Sequence, residues 1–361
     1  MIAIYIAIFI AAAYGAKLTD GSGSYVGKKQ SAALKGIFVM LVFASHSWQY
    51  IKDLAPNGVL TNAFFLVKTA LGQMIVVPFL FFSGYGVRYS VERKGEAYVR
   101  SIPKQRVLKL LTHTTPIILL FLCLQLAFGR HYDLGFVLSS LVLWESLGNS
   151  NWYIFSILVL YIITYISFGV FKDRRRALVS CLLLTLVYIA LMSLAKPTWW
   201  YDTVISYVFG MLFYDLSESF SEKLTQSAGA WKRGLLKIAA LLLLAAAGYL
   251  TCVACLKEFS PRLLPALVGN LAAVAFMLLL LCVSLKVKLG NPVIDWLGDH
   301  IFEVYLLQRL PMILFTKLGL ANVSLVLWYA ACIAVTVLLA YLFRRLFALS
   351  DRLLFGVKKA I

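Results

Sequence analysis

Of the four histidines in the sequence, only His46 lies well inside an apolar, helix-length run, Gly36–Trp48. His113 and His131 fall at the ends of such runs, and His300 follows Gly298–Asp299 at the start of another. An ionisable group at membrane depth is costly and ordinarily faces a cavity or a partner. The alternative is a neutral imidazole bonded to a neighbouring helix. A neutral histidine suits general-base chemistry. Ser45 and Ser47 flank His46 and would either orient its ring or bond back to their own helix, the second being the expectation. Lys35 stands eleven residues earlier. Eleven residues make close to three turns and about 16 Å of helix, so both side chains share one face. Lys35 then lies near an interface and His46 near the midplane of a ~30 Å core. Such a shaft suits a ligand with an anionic head at one surface and a reactive end at depth.

A second group of candidates is the basic segment 88–111, with Arg88, Arg93, Lys94, Arg100, Lys104, Arg106 and Lys109. From Arg100 onward, apolar residues interleave with the charges, as in an interfacial amphipathic helix. Singly these residues read as retention charge; as a cluster they would hold a phosphorylated ligand. The six cysteines all lie in or at the ends of apolar runs and read as small packing residues. Cys252 and Cys255 form a CxxC, but at the end of a membrane helix rather than in a redox context. No metal-binding spacing is present.

The elements that must position these residues are membrane helices. The 361-residue chain is 61% hydrophobic and only 14% charged, and its mean hydropathy is +0.86. A soluble domain is about 45–50% apolar and about 25% charged. Apolar runs centre on 2–16, 36–51, 64–87, 114–128, 152–171, 177–194, 203–216, 236–256, 265–285, 298–316 and 323–343. The expectation is an all-α bundle of about eleven spans, ten in the main bundle plus an accessory N-terminal helix. Residues 1–30 form that helix and a flexible linker around 19–24, and residues 31–361 form the main domain. The short stretch 134–148 is expected to be re-entrant or interfacial. With the N-terminus outside and 134–148 not crossing, 26 of the 34 Lys and Arg residues fall in inner loops. Only Lys52, Arg130, Lys196, Lys257, Arg262 and Lys317 fall in outer loops. The positive-inside rule is met at every loop pair only with that choice. The net charge of +18 is thereby explained without nucleic acid. The first run has no convincing cleavage site and reads as a retained helix.

Taken together, the residues resemble the integral membrane acyltransferases of acyltransferase family 3. The family's mark is a basic residue, ten residues and a histidine, found here as Lys35 to His46 within Leu34-Lys35-Gly36-Ile37. Its Phe-rich Ser-Gly-aromatic helix is matched by Pro78 through Phe82, Ser83-Gly84-Tyr85. Its basic segment is matched by Lys104-Gln105-Arg106-Val107-Leu108-Lys109, and its Trp-aromatic helix opening by Asn151-Trp152-Tyr153. Its late helix is matched by Leu297-Gly298 through Tyr305-Leu306-Leu307. The resemblance covers nearly the whole chain from about residue 30. Two positions depart from it: Lys35 stands where arginine is more usual, and Gln308 stands where the late helix usually carries histidine. No esterase-like domain of the kind some members append is recognisable.

The resemblance implies acyl transfer, often of acetyl, from cytosolic acyl-CoA to a hydroxyl of a cell-envelope glycan or lipid-linked sugar. It implies a multi-pass protein of the bacterial cytoplasmic membrane, with acyl-CoA as donor substrate and no further cofactor, and the loop charges counted above put the C-terminus in the cytosol. The expected catalytic residues are His46 and Lys35. The expected substrate-binding residues are Arg100, Lys104, Arg106, Lys109, Ser83, Tyr85, Trp152 and Tyr305. Two other classes compete. A transporter or flippase for an anionic or glycan substrate would use the same basic loops, although no inverted repeat is visible. A non-catalytic sensor on the same fold would explain Gln308, although Lys35 and His46 are both intact.

Overall fold

The computed structural model describes residues 2–19, 25–54, 58–227, 229–255 and 262–356. The linker at 20–24 and the side chains of Cys252 and Cys255 lie outside the described residues. The regular structure among the described residues is helical apart from two strands of two residues each. In order come α1 (Ala3–Ala13), α2 (Lys28–Ile51), α3 (Val59–Leu71), α4 (Val77–Ile102) and α5 (Lys109–Ala127). There follow α6 (Leu134–Leu141), α7 (Asn151–Val170), α8 (Arg174–Ala195), α9 (Ile205–Thr225), α10 (Ala230–Cys255) and α11 (Leu263–Ser284). The chain ends in α12 (Pro292–Asp299), α13 (Ile301–Leu307), α14 (Arg309–Lys317), α15 (Leu320–Val323) and α16 (Leu325–Phe355). By length and composition, seven helical stretches among the described residues are able to cross a membrane.

Several apolar runs are not single helices. The 64–87 run breaks at Gly72, whose φ of 46° and ψ of −127° suit glycine. A 3-10 stretch, Gly72–Val76, then leads into α4. Pro78 sits in the first turn of α4, where a missing N–H costs nothing. The 298–316 run is interrupted at His300, which leaves the helical region with φ −108° and ψ 19°. The basic segment 88–111 is helical throughout, as its interleaved apolar residues suggest from Arg100 onward. It continues α4 through a kink at Gly95, with φ 55° and ψ −140°. A π-helical turn, Pro103–Leu108, then joins it to α5. The 134–148 stretch forms only the eight residues of α6 before the helix ends. That is about 12 Å of helix, too short to cross.

Two helix crossings use reciprocal glycines. A Cβ on Gly36 would strike the Ile294 carbonyl, and one on Gly298 would strike that of Ala32. Lys35-Gly36 and Leu297-Gly298 are therefore the two sides of one crossing, between α2 and α12. Gly84 meets the Tyr207 carbonyl and Gly210 that of Phe81, locking α4 to α9 in the same way. Small residues let membrane helices approach closely where no hydrophobic force drives them together.

The basic segments meet at one end of the bundle. Lys17–Leu18 pairs antiparallel with Val287–Lys288, and Gln30 Nε2 donates to the Val287 carbonyl at 2.9 Å. Tyr25 donates its hydroxyl to the Ser217 carbonyl at 2.5 Å. Burial, and secondarily the Tyr85 phenol, push the Tyr25 pKa above the usual tyrosine range, so it remains a donor. Lys172 reaches Glu96 at 3.2 Å. Buried Arg88 lies 3.2 Å from Asp215, which also pairs with Arg174. At the opposite end, Lys196 bonds Glu145 at 3.2 Å and the Trp144 carbonyl at 2.8 Å. Helix α1 is fastened to the bundle by Asn291, which donates to the carbonyls of Ala11 and Tyr14 at 2.7 and 2.9 Å.

Candidate functional site

Three cavities with shared walls lead from the basic end into the bundle. The first, about 580 Å³, lies among the π-helical turn, α5, α13 and α16 and is lined by Arg106, Lys109, His113, Glu303, Arg344 and Asp351. The middle one, about 300 Å³, is lined by Lys35, Ser83, Arg106, Tyr153, Tyr161 and Tyr305. The third, about 630 Å³, contains Ser45, His46, Lys68, Trp152, Tyr305 and Arg309 on its wall. Arg106 and Tyr161 belong to both the first and middle cavities. Tyr305 belongs to both the middle and third. Lys35 and His46, three turns apart on α2, thus open into successive cavities.

The first cavity holds its cations in place. Arg106 donates Nε to the Tyr98 hydroxyl at 3.1 Å, and its guanidinium lies 5.8 Å from the ring centres of both Tyr98 and Tyr161. Lys109 pairs with Asp351 at 2.6 Å. His113 Nε2 bonds the same carboxylate at 2.9 Å, and its ring stacks on Phe347 at 4.3 Å. Arg344 reaches Glu303 at 3.3 Å.

At the third cavity, buried His46 Nδ1 and the Tyr305 hydroxyl find no hydrogen-bond partner among the described residues. Their rings stand 6.4 Å apart, and Tyr153 lies 5.2 Å from Tyr305. Buried polar atoms are ordinarily paired. Two such atoms on adjoining cavity walls leave hydrogen-bonding capacity for a bound molecule. Ser47 is not part of this arrangement: it donates back to the Ala44 carbonyl at 2.7 Å and contacts the Tyr329 hydroxyl at 2.8 Å. Ser45 lies on the cavity wall.

The loop after α6 forms the far wall. Asn151 donates to the carbonyls of Leu143 and Glu145 at 2.8 and 2.9 Å. Gln125 donates to that of Leu147 at 2.8 Å. These bonds hold the loop across the start of α7. Successive residues there face different cavities, Trp152 the third and Tyr153 the middle one.

Of the residues expected to bind substrate, Ser83, Arg106, Lys109, Trp152 and Tyr305 line the cavities, as do Lys35 and His46. Three others are placed elsewhere. Arg100 is exposed and pairs with Glu96 at 2.8 Å, one turn back on the same helix. Lys104 is exposed on the outer side of the π-helical turn. Tyr85 packs in the α4–α9 crossing, 6.2 Å from the Phe81 ring and 5.4 Å from that of Tyr214. Helical rotation separates Arg100 and Lys104 from Arg106, and the glycine-locked crossing claims Tyr85. Gln308 is fully buried, donates to the Tyr305 carbonyl at 3.2 Å and lines none of the three cavities. Sequence reasoning missed Lys68, Arg309, Tyr161 and the rings of Trp144, Trp199 and Trp200, all of which line a cavity. For Lys68 and Arg309 the available signal was a basic residue inside an apolar run.

Fold and cavities together define a helical membrane protein with adjoining cavities, the last of which has a histidine on its wall. A family model for the acyltransferase domain of acyltransferase family 3 matches residues 31–345, and the chain belongs to that family. No curated protein and no solved structure matches it significantly. Family membership supports acyl transfer, and the apolar helices fit a multi-pass membrane protein.

Proposed function

We propose that the protein transfers an acyl group, acetyl being the expected one, from cytosolic acyl-CoA to a hydroxyl of a cell-envelope glycan or lipid-linked sugar. The observation that carries this reading is the run of cavities from Arg106 and Lys109, past Lys35, to His46. In this reading the CoA phosphates rest on Arg106 and Lys109, with Lys35 farther along the path. The acyl thioester extends through the middle cavity toward Tyr305. An acceptor enters the third cavity, where tryptophan rings offer flat apolar faces to sugar rings. His46 takes the proton of the acceptor hydroxyl as its oxygen attacks the thioester carbonyl. The C–S bond breaks, and the departing CoA thiolate receives a proton, returning His46 to its neutral form. The basic end then faces the cytosol of a bacterial membrane, with the N-terminus outside. Residues 1–30 act as an accessory helix to the domain that follows.

The test measures acyl transfer and thermal stability together on the purified protein. His46→Gln keeps one hydrogen bond but loses basicity, so turnover should fall by about 10²–10⁴ with folding intact. Lys35→Ala should raise the acyl-CoA requirement. A folded His46→Gln protein working at the parental rate would remove the base assignment. A parent that moves acyl-CoA or glycan across vesicles without forming an ester would point to a transporter.

A further inference from the structure

The third cavity has a charge balance that acyl transfer to a neutral sugar does not require. Three cations line it, Lys68, Lys196 and Arg309, against a single carboxylate, Glu145. That carboxylate is taken: Lys196 lies 3.2 Å from it, with its ammonium 4.1 Å from the centre of the Trp144 ring. Lys68 has no ion pair among the described residues, and Arg309 spends its polar contacts on neutral groups. Its Nε donates to the Tyr50 hydroxyl and its Nη2 to Gln49 Oε1, each at 2.9 Å. Both cations share the cavity wall with His46.

Their position in the sequence is a second, independent observation. Lys68 and Arg309 are the two basic residues inside apolar runs, with Lys237 standing at the edge of another. Cations placed there are expensive and are ordinarily kept for a ligand or a charged partner. No carboxylate among the described residues pairs with either, so the missing negative charge is one that arrives with a ligand.

We infer that the His46 cavity receives an anionic acceptor, a saccharide carrying a carboxylate or a phosphate close to the hydroxyl that is acylated. This rests on the acyl-transfer reading above and names its acceptor class. Lys68 and Arg309 hold the anion, the tryptophan rings hold the sugar, and the hydroxyl is thereby brought to His46. Arg309 has a planar donor set suited to two oxygens of one anion, while Lys68 acts as a point charge. A neutral sugar would leave both cations without compensation, so discrimination follows from desolvating them.

The experiment uses the full chain in nanodiscs of zwitterionic lipid and three probes of equal length: cellotetraose, its C6 monouronate and its C6 monophosphate. Binding is read by calorimetry, and acyl transfer from acetyl-CoA is measured separately. At least one anionic probe should bind about tenfold more tightly than cellotetraose, as one charged hydrogen bond provides. That advantage should narrow as salt rises. Whichever of the two anions binds more tightly identifies the group. Lys68→Glu and Arg309→Gln should each bring the ratio toward one. Lys68 carries the test if loss of the Tyr50 and Gln49 bonds unfolds the Arg309 variant. Equal binding of all three probes by the parent would overturn the inference, as would a preference unchanged in Lys68→Glu. Anion preference without ester formation would instead sink the transfer reading and leave only a cavity selective for anionic saccharides.

Discussion

Replacing Arg106 by glutamine tests the donor end of the path most directly, because Arg106 stands on the wall between the first and middle cavities. Its Nε is committed to Tyr98, leaving the two terminal nitrogens for an anion. One charge-assisted hydrogen bond is worth about 1.5–3 kcal/mol, which is about ten- to a hundredfold in apparent affinity. A phosphate contact far from the reacting carbon stabilises ground state and transition state alike, so the change should appear in KM for acyl-CoA and leave kcat nearly unchanged. Structure also contributes a stability cost. Glutamine can keep a bond to the Tyr98 hydroxyl but loses the two cation–ring contacts, together about 1–4 kcal/mol. Steady-state kinetics in acetyl-CoA should therefore be paired with a melting curve. Arg106→Lys should fall between parent and Arg106→Gln, since it restores charge without the fork. A folded Arg106→Gln protein with an unchanged acetyl-CoA requirement would refute the donor assignment. A fall in kcat at constant KM would place Arg106 near the reacting atoms instead.

Gly84→Val should abolish folded protein, because its side chain must enter the Tyr207 backbone where α4 and α9 cross. The recovery of monodisperse protein in size-exclusion chromatography checks this, and normal recovery would mean that the crossing is looser than described. Asn151→Ala should cost about 1–3 kcal/mol by leaving buried carbonyls unpaired. Because Asn151 holds the loop of the third cavity, the variant should raise KM for the acceptor more than for acyl-CoA.

The Lys35–His46 pair was legible because both residues lie on one helix, where spacing alone fixes a shared face. Asn151-Trp152-Tyr153 was legible as a pattern, although its division of labour between loop and two cavities needed the fold. The all-helical class followed from hydropathy. What sequence could not supply was assembly across distance. Trp144, Trp199 and Trp200 each resemble an interfacial anchor when read alone, and only packing brings them to one wall. The break at Gly72 was hidden because apolar residues continue on both sides of it. Arg100, Lys104 and Arg106 looked equivalent within a basic segment, and the helix sorts them by angle.

That sorting has a consequence for how the chain tolerates change in length. The π-helical turn at Pro103–Leu108 joins two helices that serve different surfaces: α4 packs on α9, whereas α5 begins at the first cavity with Lys109 and His113. Removing one residue from this turn would rotate everything after it by about 100° and shift it by about 1.5 Å. Arg106 and Lys109 would then leave the cavity together while each remained chemically intact. Substitutions at exposed Lys104 should be nearly silent, yet deleting it should be as damaging as losing both cavity cations. Within these six residues the count matters more than the identities, and a family alignment should show gaps to be rarer here than the variety of side chains suggests.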